Sequence, residues 1–159
     1  MMNILILCTG NSARSILAEA LFNARGEGRV RAWSAGSKPA GAVNPHALAL
    51  LARKGFDTDS LRSKSWVEFE GAQAPVMDAV ITVCDSAASE ACPVWPGAPV
   101  RAHWGLPDPA GATGDAQARA AFESTFQALE ARIEAVLAHD DLNEPARLQA
   151  ALTSAHQEA

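Results

Sequence analysis

The chain has 159 residues, 48% of them hydrophobic and 19% charged, with a formal net charge of −5 at pH 7. That is apolar material for one sizeable core, hence one principal domain, while the acidic balance argues against a general nucleic-acid-binding or acidic-membrane surface. No apolar run approaches the roughly 18 residues of a membrane span. The N-terminus has no basic region ahead of its short apolar run, so it reads as a strand and not as a signal peptide. The expected compartment is the cytoplasm, where disulfides are usually transient and catalytic.

Ile4-Leu5-Ile6-Leu7 fits a strand buried on both faces. Cys8 ends it, a small polar loop follows, and Arg14 opens a helix whose apolar faces are Ile16, Leu17, Ala20, Leu21 and Ala24, with Gly26 as the stop. Such a loop directs backbone N–H groups at the first turn of a helix, a geometry that binds oxyanions. Gly10 is expected to make the sharp turn, and Asn11 tolerates a left-handed conformation. Loop amides, the helix N-terminus and Arg14 are expected to lower the Cys8 pKa below the roughly 8.5 of an unperturbed cysteine. Ser15 is placed to donate its hydroxyl to the same sulfur, and Arg14 offers a planar fork for two oxygens of a tetrahedral anion. A structural cysteine at a strand end is the plainer alternative; the strand before, the helix after and the Gly-Asn-Ser between favour the reactive one.

Val30–Ser34 reads as a second strand. Asn44 is a helix N-cap with Pro45 at the first helical position, Leu48, Leu51 and Ala52 as the apolar face and Gly55 as the stop. His46 reads as a solvated or capping side chain. Trp66–Phe69 is a short helix over the sheet edge, and Ala79–Val83 is a third buried strand leading into Cys84. Strands alternating with helices in this order indicate right-handed βαβ units and a parallel sheet. Cys8 and Cys84 then both lie at the C-terminal strand edge, where open α/β sheets place ligand sites. With no Cys-x2-Cys pair, zinc is not expected. Cys84 and Cys92 are either small buried hydrophobes or a redox-active pair.

Val100–Trp104 is the fourth strand, and Trp33, Trp66, Trp95 and Trp104 read as packing residues, as does His103. Asp108, held between Pro107 and Pro109, is a carboxylate rigidly displayed on the loop after that strand. Asp115 is a candidate cap for the last main helix, whose Phe122, Phe126, Leu129, Ile133 and Val136 form one apolar stripe. The tail breaks at Asp140 and resumes at Pro145 as a short helix with Leu148, Ala151, Leu152 and Ala155 on one face.

Cys8-Thr9-Gly10-Asn11-Ser12-Ala13-Arg14-Ser15 resembles the phosphate-binding loop of the low-molecular-weight protein tyrosine phosphatases and of the arsenate reductases that share their fold. The resemblance runs to about residue 138, leaving 139–159 as a C-terminal extension. It implies an α/β fold with a four-stranded parallel, doubly wound, flavodoxin-like sheet of order 2-1-3-4, in which Cys8 and Cys84 end neighbouring strands. Residues Thr9 to Arg14 would cradle an oxyanion, Cys8 would be the nucleophile and Asp108 the general acid. The segment from Cys84 to Cys92 resembles the redox stretch of the arsenate reductases, which phosphatases of this fold lack.

The function so implied is arsenate reduction by Cys8 with a Cys84/Cys92 disulfide relay. No cofactor is bound, and an external thiol reductant is required: thioredoxin, or glutathione with glutaredoxin. The alternative is a low-molecular-weight tyrosine phosphatase with Cys84 and Cys92 idle, against which stand Ala110, where those enzymes place an aromatic, and the absence of any tyrosine. A third reading is a noncatalytic phosphate-binding or redox-sensing protein. Some thioredoxin-coupled arsenate reductases hold potassium beside the loop. Asn11, Glu19 and Ser34 match three side chains of that pattern, but Trp66 stands where an aspartate is expected. The simpler expectation is that Glu19 stiffens the loop through hydrogen bonds and that no metal is bound.

Overall fold

The computed structural model describes residues 1–84, 95 and 97–158. Four parallel strands, β1 (Met2–Leu7), β2 (Val30–Ala35), β3 (Ala79–Thr82) and β4 (Val100–His103), form one sheet in the order β2-β1-β3-β4. β1 is central, which is why its run of aliphatics does not alternate with polar residues. Ile4, Ile6 and Cys8 enter the larger core with Ile16 and Leu21, whereas Leu5 and Leu7 enter a smaller one with Phe69, Met77, Val80 and Trp95. The strand starts before the apolar run because Met2 and Asn3 pair with Val30 and Arg31 of β2.

The helices are α1 (Arg14–Arg25), α2 (Pro45–Arg53), α3 (Asp115–Leu137) and α4 (Pro145–Glu158), with 3-10 turns at Trp66–Phe69 and Pro109–Gly111. The cap expected at α2 is present: Asn44 Oδ1 accepts from the His46 N–H at 2.9 Å, with Pro45 next. Gly55, at φ +86°, ends that helix in the left-handed conformation glycine favours. The buried face of α2 is Ala47, Leu50 and Leu51, not Leu48, Leu51 and Ala52. The helix is turned by about one residue from the expected orientation, because Ala47 lets the backbone approach the core where Leu48 would hold it off. At α3 the residue before the helix is Gly114, and Asp115 is its first helical residue instead of its cap, leaving the carboxylate to favour the helix dipole. The stripe Phe122, Phe126, Leu129, Ile133 and Val136 is buried throughout.

The C-terminal segment does not stand apart from this core. Leu148, Ala151, Leu152 and Ala155 of α4 are buried in the same cluster as β1 and α1. The buried Trp104 indole donates to the Leu152 carbonyl at 2.9 Å, and Gln149 Nε2 donates to the Arg101 carbonyl at 2.8 Å, so α4 is hooked to the edge strand β4.

Candidate active site

The loop from Cys8 to Arg14 is built by outward hydrogen bonding of its carbonyls. Thr9 O accepts from Lys38 N–H at 3.0 Å, Gly10 O from Ala40 N–H at 2.9 Å and from Ser63 Oγ at 3.2 Å, and Ser12 O from Asn44 N–H at 2.9 Å. With the carbonyls turned out, the N–H groups of Asn11, Ser12, Ala13 and Arg14 take no partner among the described residues. α1 has no side-chain cap at Ala13, so its first amides are also left for a ligand.

The left-handed turn is made by Asn11, at φ 44°; Gly10 has no positive φ, and a Cβ there would meet only Ser12 Oγ at 3.8 Å. The turn credited to Gly10 therefore belongs to Asn11, whose side chain compensates the strain. Its Oδ1 accepts from the Lys64 N–H at 2.9 Å, and its Nδ2 donates to Ser15 Oγ at 2.8 Å. Ser15 Oγ accepts from Asn11, which leaves its hydroxyl hydrogen available to donate.

The glycine this loop requires is Gly36. A Cβ on it would lie 2.3 Å from Thr9 O and 2.5 Å from Cys8 O, backbone atoms that cannot yield without moving the loop. Gly36→Ala is expected to cost on the order of 1–3 kcal/mol and to weaken oxyanion binding. Thermal unfolding with and without phosphate checks both effects; wild-type behaviour in both would contradict the close approach.

Four of the expected side chains meet in one cleft of about 250 Å³ lined by Cys8, the loop, Arg14, Cys84, Asp108 and Ala110. Arg14 Nη1 donates to the Leu106 carbonyl at 2.7 Å, and Nη2 lies 4.0 Å from Asp108 Oδ1. Arg14 Nε is buried without a partner among the described residues, a donor that an oxyanion in the loop would satisfy. Asp108 is more than half exposed and accepts from Ala110 N–H at 3.0 Å, so it serves the Pro109–Gly111 turn while overhanging the cleft. Cys92 lies outside the described residues.

Cys8 and Cys84 are both buried thiols on the wall of the same cleft. Cys84 Sγ also accepts from Thr9 N–H at 3.4 Å. The Cys8 pKa is raised, contrary to the expectation from the loop alone. The neighbouring Cys84 thiol is the largest cause and burial adds to it, outweighing the lowering by Arg14 and the Gly10 N–H. The sequence puts an electropositive loop around Cys8 and places Cys84 on the next strand, but it does not reveal that burial and Cys84 together outweigh the loop.

Three residues of the site were not singled out. Leu106 seats Arg14 through its carbonyl, and no sequence pattern marks it. Gly36 touches the loop only through the backbone of Cys8 and Thr9, which are distant from it in sequence. Lys64 is buried against Glu19, and the available signal was Glu19 itself, a carboxylate on an otherwise buried helical face.

Residues 3–149 match the family described as low molecular weight phosphotyrosine protein phosphatase. The chain belongs to that family. Among its relatives, an arsenate reductase of Halalkalibacterium halodurans is 38% identical over 111 residues, covering 70% of this chain and 76% of that protein. An arsenate reductase of Bacillus subtilis is 34% identical over 119 residues, covering 75% and 82%. A solved structure described as an arsenate reductase in the phosphate binding state superimposes with a TM-score of 0.67 at 26% identity, covering 87% of this chain and 98% of the other. The low-molecular-weight phosphatase fold thus accounts for the sheet order and for the loop at the end of its central strand. Within this family member, Ala110 takes its place on the cleft wall, and no aromatic is among the described residues that line the cleft.

Proposed function

We propose that the chain is an arsenate reductase working through thiol–disulfide exchange in the cytoplasm. The observation that carries this reading is that Cys8 and Cys84 line one cleft with Arg14 and Asp108. A phosphatase needs one cysteine there; a reductase that ends its first stage as a disulfide needs a second sulfur in contact with the first.

In the proposed sequence, arsenate docks on the loop amides and the Arg14 fork, as phosphate would. A Cys8 thiolate attacks arsenic, and Asp108 supplies the proton with which one oxygen leaves as water. The Cys84 thiolate then attacks the Cys8 sulfur. The sulfur–arsenic bond breaks with its electron pair staying on arsenic, so As(V) leaves as arsenite and a Cys8–Cys84 disulfide remains. Cys92 attacks Cys84, frees Cys8 as a thiolate, and leaves Cys84–Cys92 for an external dithiol to reduce. Thioredoxin is the preferred donor because the relay resembles the thioredoxin-coupled type; glutathione with glutaredoxin is the competing donor.

Arsenate turnover compared with aryl-phosphate hydrolysis on one preparation tests the assignment. Arsenite release is expected to dominate, and efficient aryl-phosphate hydrolysis without arsenite would establish the phosphatase instead. Asp108→Asn is expected to slow formation of the covalent intermediate by about 10²–10⁴-fold with the fold intact. An unchanged single-turnover rate would leave Asp108 only its role in the Pro109–Gly111 turn.

A further inference from the structure

Behind the loop lies a buried charge pair that the proposed chemistry does not use. Lys64 and Glu19 are 6% and 8% exposed. Lys64 Nζ is 3.3 Å from Glu19 Oε1, 3.5 Å from Ser34 Oγ and 3.1 Å from the Arg62 carbonyl, while Ser34 Oγ donates to Glu19 Oε1 at 2.6 Å. The same lysine's backbone N–H donates to Asn11 Oδ1, the side chain that supports the left-handed turn of the loop. One residue therefore ties the acidic side chain of α1 to the turning point of the oxyanion loop. Glu19 and Lys64 also border a cleft of about 310 Å³ with Ser60 and Arg62.

The potassium pattern suggested by Asn11, Glu19 and Ser34 does not fit here. The Glu19 and Ser34 oxygens face an ammonium, and a second cation on them would be repelled by it. Asn11 Oδ1 is taken by an amide, and Trp66, standing for the expected aspartate, stacks edge-on against Trp95.

We propose that Lys64 is the resident cation of the oxyanion loop, a positioning residue whose ammonium holds Glu19 and whose backbone holds Asn11, making anion binding independent of added alkali ions. An isolated buried carboxylate or ammonium costs several kcal/mol, so each partner is tolerable only with the other. Burial pulls the Lys64 pKa down, and the Glu19 carboxylate acts against that fall. The proposal rests on the reading of Cys8–Arg14 as an oxyanion loop, but not on which reaction follows.

The test is inorganic phosphate affinity, read as protection of Cys8 from alkylation, in potassium, ammonium, sodium or tetramethylammonium chloride at equal ionic strength. Wild type is expected to bind phosphate equally in all four. Lys64→Ala is expected to lose roughly 10–100-fold in tetramethylammonium and to recover with potassium or ammonium, which can enter the vacated space while tetramethylammonium cannot. Unchanged affinity in Lys64→Ala, or a loss that no small cation restores, overturns the proposal. Should Lys64→Ala fail to fold, Glu19→Gln combined with Lys64→Met removes both charges. That pair is expected to fold, to bind phosphate weakly and to ignore the cation, and wild-type affinity in it also overturns the proposal. Absence of phosphate binding by wild type would instead remove the oxyanion loop itself, and this inference with it.

Discussion

Cys8→Ser will abolish arsenate reduction and any aryl-phosphate hydrolysis together, with a loss on the order of 10⁴–10⁶ in turnover. A serine hydroxyl in the same place lacks both the thiolate and the ability to form the first disulfide, so neither reaction can start. The two activities falling in parallel matters as much as the size of the fall, because it ties them to one nucleophile. Appreciable multiple turnover by this variant would end the assignment. Arg14→Lys is expected to lose about 10²–10³-fold despite keeping its charge. The arginine is seated by Leu106 through one nitrogen and keeps buried Nε for the ligand, a division of labour that a single ammonium cannot reproduce. Direct phosphate titration separates the two variants: Cys8→Ser should still bind the anion, and Arg14→Lys should not.

The second large effect concerns which disulfide each variant can make. Cys92→Ser should release about one arsenite per chain and stop as a Cys8–Cys84 disulfide, since the first exchange needs only the two sulfurs that share the cleft. Cys84→Ser should release little arsenite without added small thiols, yet keep weak aryl-phosphate hydrolysis at Cys8. Wild type given arsenate without reductant should accumulate Cys84–Cys92. Two cysteines bridge only when their Cα atoms come within about 7 Å, so the relay requires Cys84 to come that close first to Cys8 and then to Cys92. Peptide mapping after thiol trapping reads the result directly. If Cys84 and Cys92 stayed reduced while arsenite appeared, the relay would be wrong and the second thiol would have to come from outside.

What could be read from the sequence follows from the range of the forces involved. The β1 run, the α3 stripe and the Asn44-Pro45 cap depend on neighbours in the chain, and all three are present. Asp108 was legible because two prolines fix it locally, wherever the loop then goes. The orientation of α2 was not, because a one-residue rotation depends on how closely α3 allows it to approach. Lys64 and Gly36 escaped for a similar reason: Lys64 meets Glu19 across 45 residues, and Gly36 matters only because the end of β1 passes over it. The Cys8 pKa was misjudged on the same grounds. Arg14 and the loop amides are sequence neighbours of the thiol, whereas Cys84, which reverses the direction, arrives on another strand.

The hooks between α4 and β4 set an order on events during synthesis. Cys8 and Arg14 are made well before the seat of that arginine, because Leu106 follows Arg14 by 92 residues. The indole of Trp104 then waits for Leu152, and the core around β1 closes only when Ala155 is in place. Contacts between such distant positions form late, because the loop-closure entropy must be overcome before they are gained. A nascent chain therefore carries Cys8 uncovered and Arg14 unclamped until those later residues have been made, and only the finished fold buries the thiol.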